Sequence, residues 1–119
     1  MINYLFYPVT GYSSFGTYTG NGSTTGPTVT VGFRASFVMI KRTDSTGAWY
    51  IFDSARAESE TFLPIMSYAN LTNVEYNTTG TVYNGMGLTI TDTTFEVDFS
   101  SAWTELNASG GTYLYMAFK

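Results

Sequence analysis

Apolar residues recur at every second position through much of the chain, the spacing of strands that bury one face and wet the other. Phe95, Val97 and Phe99 alternate with Glu96, Asp98 and Ser100, so the first three are expected inward and the last three in solvent. Thr28 to Val31 alternates in the same way. Two runs, Phe37-Val38-Met39-Ile40 and Trp49-Tyr50-Ile51-Phe52, are apolar on both faces. That pattern predicts central strands covered on both sides. Tyr113 to Phe118 is a further strand with two apolar faces, and its place at the chain end predicts that it closes a sheet.

Between these runs the turn chemistry is dense. Asn21-Gly22, Asp44 to Gly47, Asn84-Gly85 and Ser109-Gly110-Gly111 supply residues that accept positive φ or preset a turn. Short strands separated in this way predict an all-β fold, an antiparallel β-sandwich of jelly-roll-like form with about eight to nine strands. Ser54 to Thr61 holds the good helix formers Ala55, Ala57, Glu58 and Glu60, enough for one short helical turn. The chain divides into residues 1–15, an aromatic N-terminal strand or docking arm, and residues 16–119, a single sandwich domain. The candidate interface residues of the first segment are Tyr4, Phe6, Tyr7, Tyr12 and Phe15, because aromatic rings give much contact area for little entropy.

Composition narrows the chemistry. Aromatic residues make up 18% of the 119 positions and charged residues only 12%, about half the usual share, so the surface must be largely Thr, Ser, Asn, Gly and Tyr. The net charge is −4, and the bases Arg34, Lys41, Arg42, Arg56 and Lys119 form no run, which argues against nucleic acid as a partner. With no cysteine, disulfides and thiolate chemistry are excluded. With no histidine, the commonest general base and metal ligand are missing. The N-terminus lacks the basic region of a signal peptide, and no apolar run is long enough to span a membrane. These features imply synthesis in the cytoplasm and no membrane partner.

The remaining candidates for chemistry are weak. Glu96 and Asp98 share one strand face, where a solvated pair is the plainer reading than a glycosidase dyad. Asp92 and Asp98 lack the ligand spacing of a calcium loop, so no metal is assigned, nor any cofactor or catalytic residue. Trp49, Asp53 and Arg56 form a candidate glycan-binding set, with Asp53 and Arg56 also able to lock the strand exit as an ion pair. The Asn-x-Ser/Thr triplets at Asn21, Asn70, Asn77 and Asn107 follow from a chain rich in these residues. Gly20-Asn21-Gly22 lacks the helix and lysine of a phosphate loop.

From Gly16 onward the chain resembles a β-rich domain of structural proteins of tailed bacteriophages, especially marine and cyanobacterial phages, where it often sits within tail fibres. The segments that carry the resemblance are Gly16 to Gly22, Gly32-Phe33-Arg34-Ala35-Ser36-Phe37-Val38-Met39-Ile40-Lys41-Arg42, Trp49-Tyr50-Ile51-Phe52-Asp53-Ser54-Ala55-Arg56, and Gly110 to Phe118. Ala35 stands where that family usually has proline, and Phe62 to Gly85 matches only loosely. The resemblance implies a non-enzymatic virion protein on the particle exterior. A single compact domain without a shaft favours a homo-oligomeric capsid decoration or cement protein, with the major capsid protein or other virion proteins as partners. The alternative is a tail-fibre or receptor-binding module for host surface polysaccharide, and a small glycan hydrolase stands third.

Overall fold

The computed structural model describes residues 7–55, 61–79, 85–100 and 103–119. Among these residues ten strands form two antiparallel sheets. They are β1 (Ser13–Thr19), β2 (Thr28–Thr30), β3 (Phe37–Arg42), β4 (Trp49–Asp53), β5 (Phe62–Leu63), β6 (Ile65–Tyr68), β7 (Tyr76–Asn77), β8 (Gly87–Ile90), β9 (Thr94–Asp98) and β10 (Thr112–Phe118), with one short helix, α1 (Thr104–Asn107), before β10. The larger sheet runs β1-β10-β3-β4-β6-β7 and the smaller β2-β9-β8-β5. The chain crosses between sheets from β1 to β2, back to β3, and again from β9 to β10, so that β1 lies beside β10 and β2 beside β9. This is the outer part of a jelly-roll wrap; within it β3–β4, β6–β7 and β8–β9 are sequential pairs, while β5 crosses to the smaller sheet and pairs with β8.

The period-two pattern therefore yields the all-β sandwich that the sequence predicts. The excess over the expected eight to nine comes from two-residue pieces, β5 and β7, too short to leave a periodic signal. At Pro64, which has no N–H to donate, the chain leaves the smaller sheet at Leu63 and joins the larger at Ile65. The turn glycines Gly22, Gly85 and Gly110 all have positive φ, as their sequence context requires.

Three expectations change. Tyr113 to Phe118 does not close a sheet, because β10 is inserted between β1 and β3 and hydrogen-bonds on both sides. A short helix occurs where none is expected. Ser54 and Ala55 form a turn, residues 56–60 fall outside the described residues, and the helix occurs at Thr104–Asn107. Asp98, expected in solvent, is only 7% exposed.

The core lies between the sheets and is aromatic. Phe95 of β9 meets Tyr18 of β1 and Tyr115 of β10 edge-on, and Phe52 of β4 meets Phe99. Tyrosine is tolerated there because its hydroxyl finds acceptors at one end of the sandwich. Tyr18 donates to the Leu106 carbonyl at 2.8 Å, Tyr113 donates to the Thr104 carbonyl at 2.5 Å and accepts from the Ala108 N–H at 2.6 Å, and Tyr50 donates to Glu105 Oε2 at 2.5 Å. Thus β1, β10 and β4 all tie their ends to one four-residue helix, which has no side-chain cap of its own.

Asn107, fully buried, completes this plug. Its Nδ2 donates to the carbonyls of Phe99 (2.6 Å) and Ser23 (2.9 Å) and to Asn21 Oδ1 (3.0 Å), while its Oδ1 accepts the Asn21 N–H at 2.9 Å. The Asn-x-Ser/Thr triplets at Asn21 and Asn107 are thus one structural pair. The loop it holds can approach only because Gly26 lacks a side chain, since a Cβ there would lie 1.4 Å from the Val97 carbonyl oxygen.

Two substitutions test this arrangement by chemical denaturation. Asn107→Ala strands several buried polar groups and is expected to cost about 3 kcal/mol. Gly26→Ala is expected to leave little folded protein, whereas Gly32→Ala, with open space around it but a positive φ, costs about 1 kcal/mol.

Candidate functional site

The N-terminal aromatic residues divide into three groups. Tyr4 and Phe6 lie outside the described residues. Tyr7 and Tyr12 are solvent-exposed, at 77% and 65%. Phe15 belongs to β1 and packs edge-on against Phe118 at 5.6 Å, so it is a sheet residue. A tight turn precedes β1, with the Tyr12 and Ser13 N–H groups both donating to the Val9 carbonyl.

Of the glycan-binding set, Trp49 and Asp53 fall within the described residues. Trp49 and Asp53 begin and end β4 and point to the same face, but roughly 13 Å apart along the strand. The Trp49 N–H is held by Asn70 Oδ1 at 3.0 Å. Arg56 lies outside the described residues.

What the topology does assemble is an apolar outer face on the larger sheet. In β3, β4 and β10 the core takes alternate residues, leaving Phe37, Met39, Ile51, Leu114, Met116 and Phe118 half-buried on the side away from the core. Register aligns them in rows: Met116 opposite Met39 opposite Ile51, and Phe118 opposite Phe37, whose rings meet edge-on at 5.8 Å. The sequence reading of these strands as central and two-sided is right for position. The second face, however, is only partly covered. Lys41, opposite Leu114 and Trp49, is the cation among these rows.

The outer face of the smaller sheet is polar and differs in kind. Glu96 and Asp98 project from it beside Thr28 and Thr89. Asp98 Oδ2 accepts from the Thr89 hydroxyl and Oδ1 from the Gly26 N–H at 3.3 Å, while Thr28 donates to Glu96 Oε2 at 3.1 Å. Burial, then the hydrogen bond that a protonated Asp98 carboxyl donates to the neighbouring Glu96 carboxylate, pushes the Asp98 carboxyl up to about 6, against the opposing hydrogen bonds from Thr89 and Gly26. The two carboxyls lie two residues apart on one strand and interact, so the protonation of one depends on that of the other. Asp98 is buried because its cross-strand partner is Gly87 and Gly26 closes over it, neighbours that its own strand pattern does not reveal. Asp92, in contrast, is 88% exposed and pairs with Arg34 at 3.0 Å. Among the described residues no three acidic side chains gather where they could hold a metal ion.

The chain belongs to the family described as a domain of unknown function, DUF7483, whose model matches residues 1–119. No curated protein and no solved structure matches it.

The Asp98 environment sets a pH dependence. Its folded carboxyl binds a proton more tightly than the unfolded one, so the associated stability is full below pH 4 and is lost as pH rises through about 6. The chain has no histidine to titrate in this window. Stability measured by urea denaturation is expected to fall by about 1.4 kcal/mol between pH 5 and pH 7.5, and Asp98→Asn is expected to flatten that slope.

Proposed function

We propose that this DUF7483 domain is a bacteriophage virion structural protein, a decoration protein that docks on the capsid exterior. The observation that carries the reading is the outward apolar face of β10, β3 and β4. Its rows cover on the order of 300–400 Å², the size of patch that marks an interaction surface. A standard interface needs about twice that area per partner, so the patch would form its apolar centre, with the Thr- and Ser-rich surroundings as rim. The major capsid protein is the intended occupant. Lattice symmetry would repeat this contact many times, turning weak docking into firm attachment. The resemblance of Gly32 to Arg42 and Trp49 to Arg56 to phage structural domains supports the same role, since these segments contain β3 and β4.

The alternative is a tail-fibre or receptor-binding module, for which the exposed Tyr7 and Tyr12 are suitable contacts. Quantitative mass spectrometry of purified particles separates the two. Decoration requires on the order of hundreds of copies that stay with tailless capsids. A handful of copies confined to tails would reject it. The double variant Met39→Glu, Met116→Glu should keep a β-sheet circular dichroism spectrum yet lose particle binding by at least about tenfold, because two charges would have to be desolvated at the contact.

A further inference from the structure

The end of the sandwich opposite the helical plug carries a cavity of about 220 Å³ lined by Arg34, Ala35, Ser36, Ser54 and Lys119. These residues come from distant parts of the chain. Arg34 to Ser36 lie in the loop entering β3, Ser54 follows β4, and Lys119 follows β10. Backbone hydrogen bonds fix them together: the Ser36 N–H donates to the Phe118 carbonyl at 2.8 Å, Ser54 to Ser36 at 2.9 Å, and Lys119 to Tyr12 at 2.8 Å. The cavity is therefore framed by the rigid sheet end and not by a long loop.

Two of the five basic residues of an acidic chain meet here. Arg34 is held by Asp92, which it contacts through both Nε (3.1 Å) and Nη2 (3.0 Å). That pair is exposed, and an exposed pair contributes little, so an incoming carboxylate can share the guanidinium with Asp92. The Lys119 ammonium lies 5.6 Å from the centre of the exposed Tyr12 ring. Among the described residues the Ser36 and Ser54 hydroxyls donate no hydrogen bond, which leaves both for a ligand. Cation, hydroxyls and an aromatic face at the rim are the complement of a carboxylate carried on a hydroxyl-rich ring. The volume falls below the roughly 300 Å³ of drug-sized pockets, which limits the occupant to about one ring. The net charge of −4 disfavours multiply charged anions over a single carboxylate.

We infer that this cavity is a binding site for a carboxylate-bearing monosaccharide unit, with Arg34 and Lys119 facing the carboxylate and Ser36 and Ser54 hydrogen-bonding the ring hydroxyls. The inference is independent of where on a particle the domain sits. Segments that the sequence singles out only for their wording, around Arg34 to Phe37 and Phe52 to Ser54, thereby acquire a shared physical purpose.

Titration of the ¹⁵N-labelled protein with sodium glucuronate tests it. Saturable amide shifts are expected at Ser36, Ser54 and Lys119, with Arg34→Gln and Ser54→Ala each weakening binding by at least about tenfold and fivefold respectively. Ser54→Ala removes a hydroxyl with no role in folding, so unchanged thermal stability with weakened binding is the expected combination. Glucose in place of glucuronate should give no saturable shift. The inference is overturned if glucuronate gives none, if Arg34→Gln binds as the parent does, or if inorganic phosphate or glucose binds as tightly.

Discussion

Three tyrosine hydroxyls and one buried asparagine decide whether this sandwich has a closed end. The segment from Trp103 to Ala108 contains a helix of four residues, far too short to be stable alone. It persists because Tyr18, Tyr50 and Tyr113 reach it from three strands of the larger sheet, and because Asn107 fastens it to the Asn21–Ser23 loop and to Phe99. The rings of Tyr18 and Tyr113 stack at 4.9 Å, so the polar anchors are themselves fixed by core packing. Burial raises both phenols, Tyr18 well above its ordinary value, so both remain neutral donors at physiological pH.

With that end sealed by internal hydrogen bonds, binding capacity falls to the other surfaces, and these differ in chemistry. The larger sheet turns rows of Met, Phe, Leu and Ile outward, a non-directional surface whose free energy scales with the area removed from water. The opposite end has a small cavity with fixed donors, suited to orientation and selectivity. The smaller sheet presents Thr28, Thr89, Glu96 and Asp98, largely bonded to one another. Apolar docking and polar recognition thus occupy separate parts of one rigid body. A partner on the sheet face need not block the cavity.

The low charge content fits this division. Among the described ion pairs, Arg42 with Asp44 and Arg34 with Asp92 both lie at strand ends and not in the core. Arg42 also donates to the carbonyl of Thr104, the first residue of α1, at 3.0 Å, and its guanidinium lies over the ring of Tyr113. Asp44 is held below its ordinary range by that same arginine and by the Thr112 N–H. These exposed contacts position loops and contribute little to overall stability.

Alternation in the sequence determined the β class, the strands β2, β3, β4, β9 and β10, the inward set Phe95, Val97 and Phe99, the central place of β3 and β4, and the glycine turns. All of these follow from the two-residue period and from backbone sterics, which act within a few residues. Tertiary structure alone decided the rest. Asp98 is buried because Gly26 and Gly87 happen to be its neighbours, β10 is an inner strand because β1 returns to pair with it, and Thr104 to Asn107 is helical because tyrosines from elsewhere satisfy its ends. The cavity depends likewise on bringing Arg34, Ser54 and Lys119 together. Which strand lies beside which is a non-local choice made by whole-sheet packing, so no window of sequence contains it.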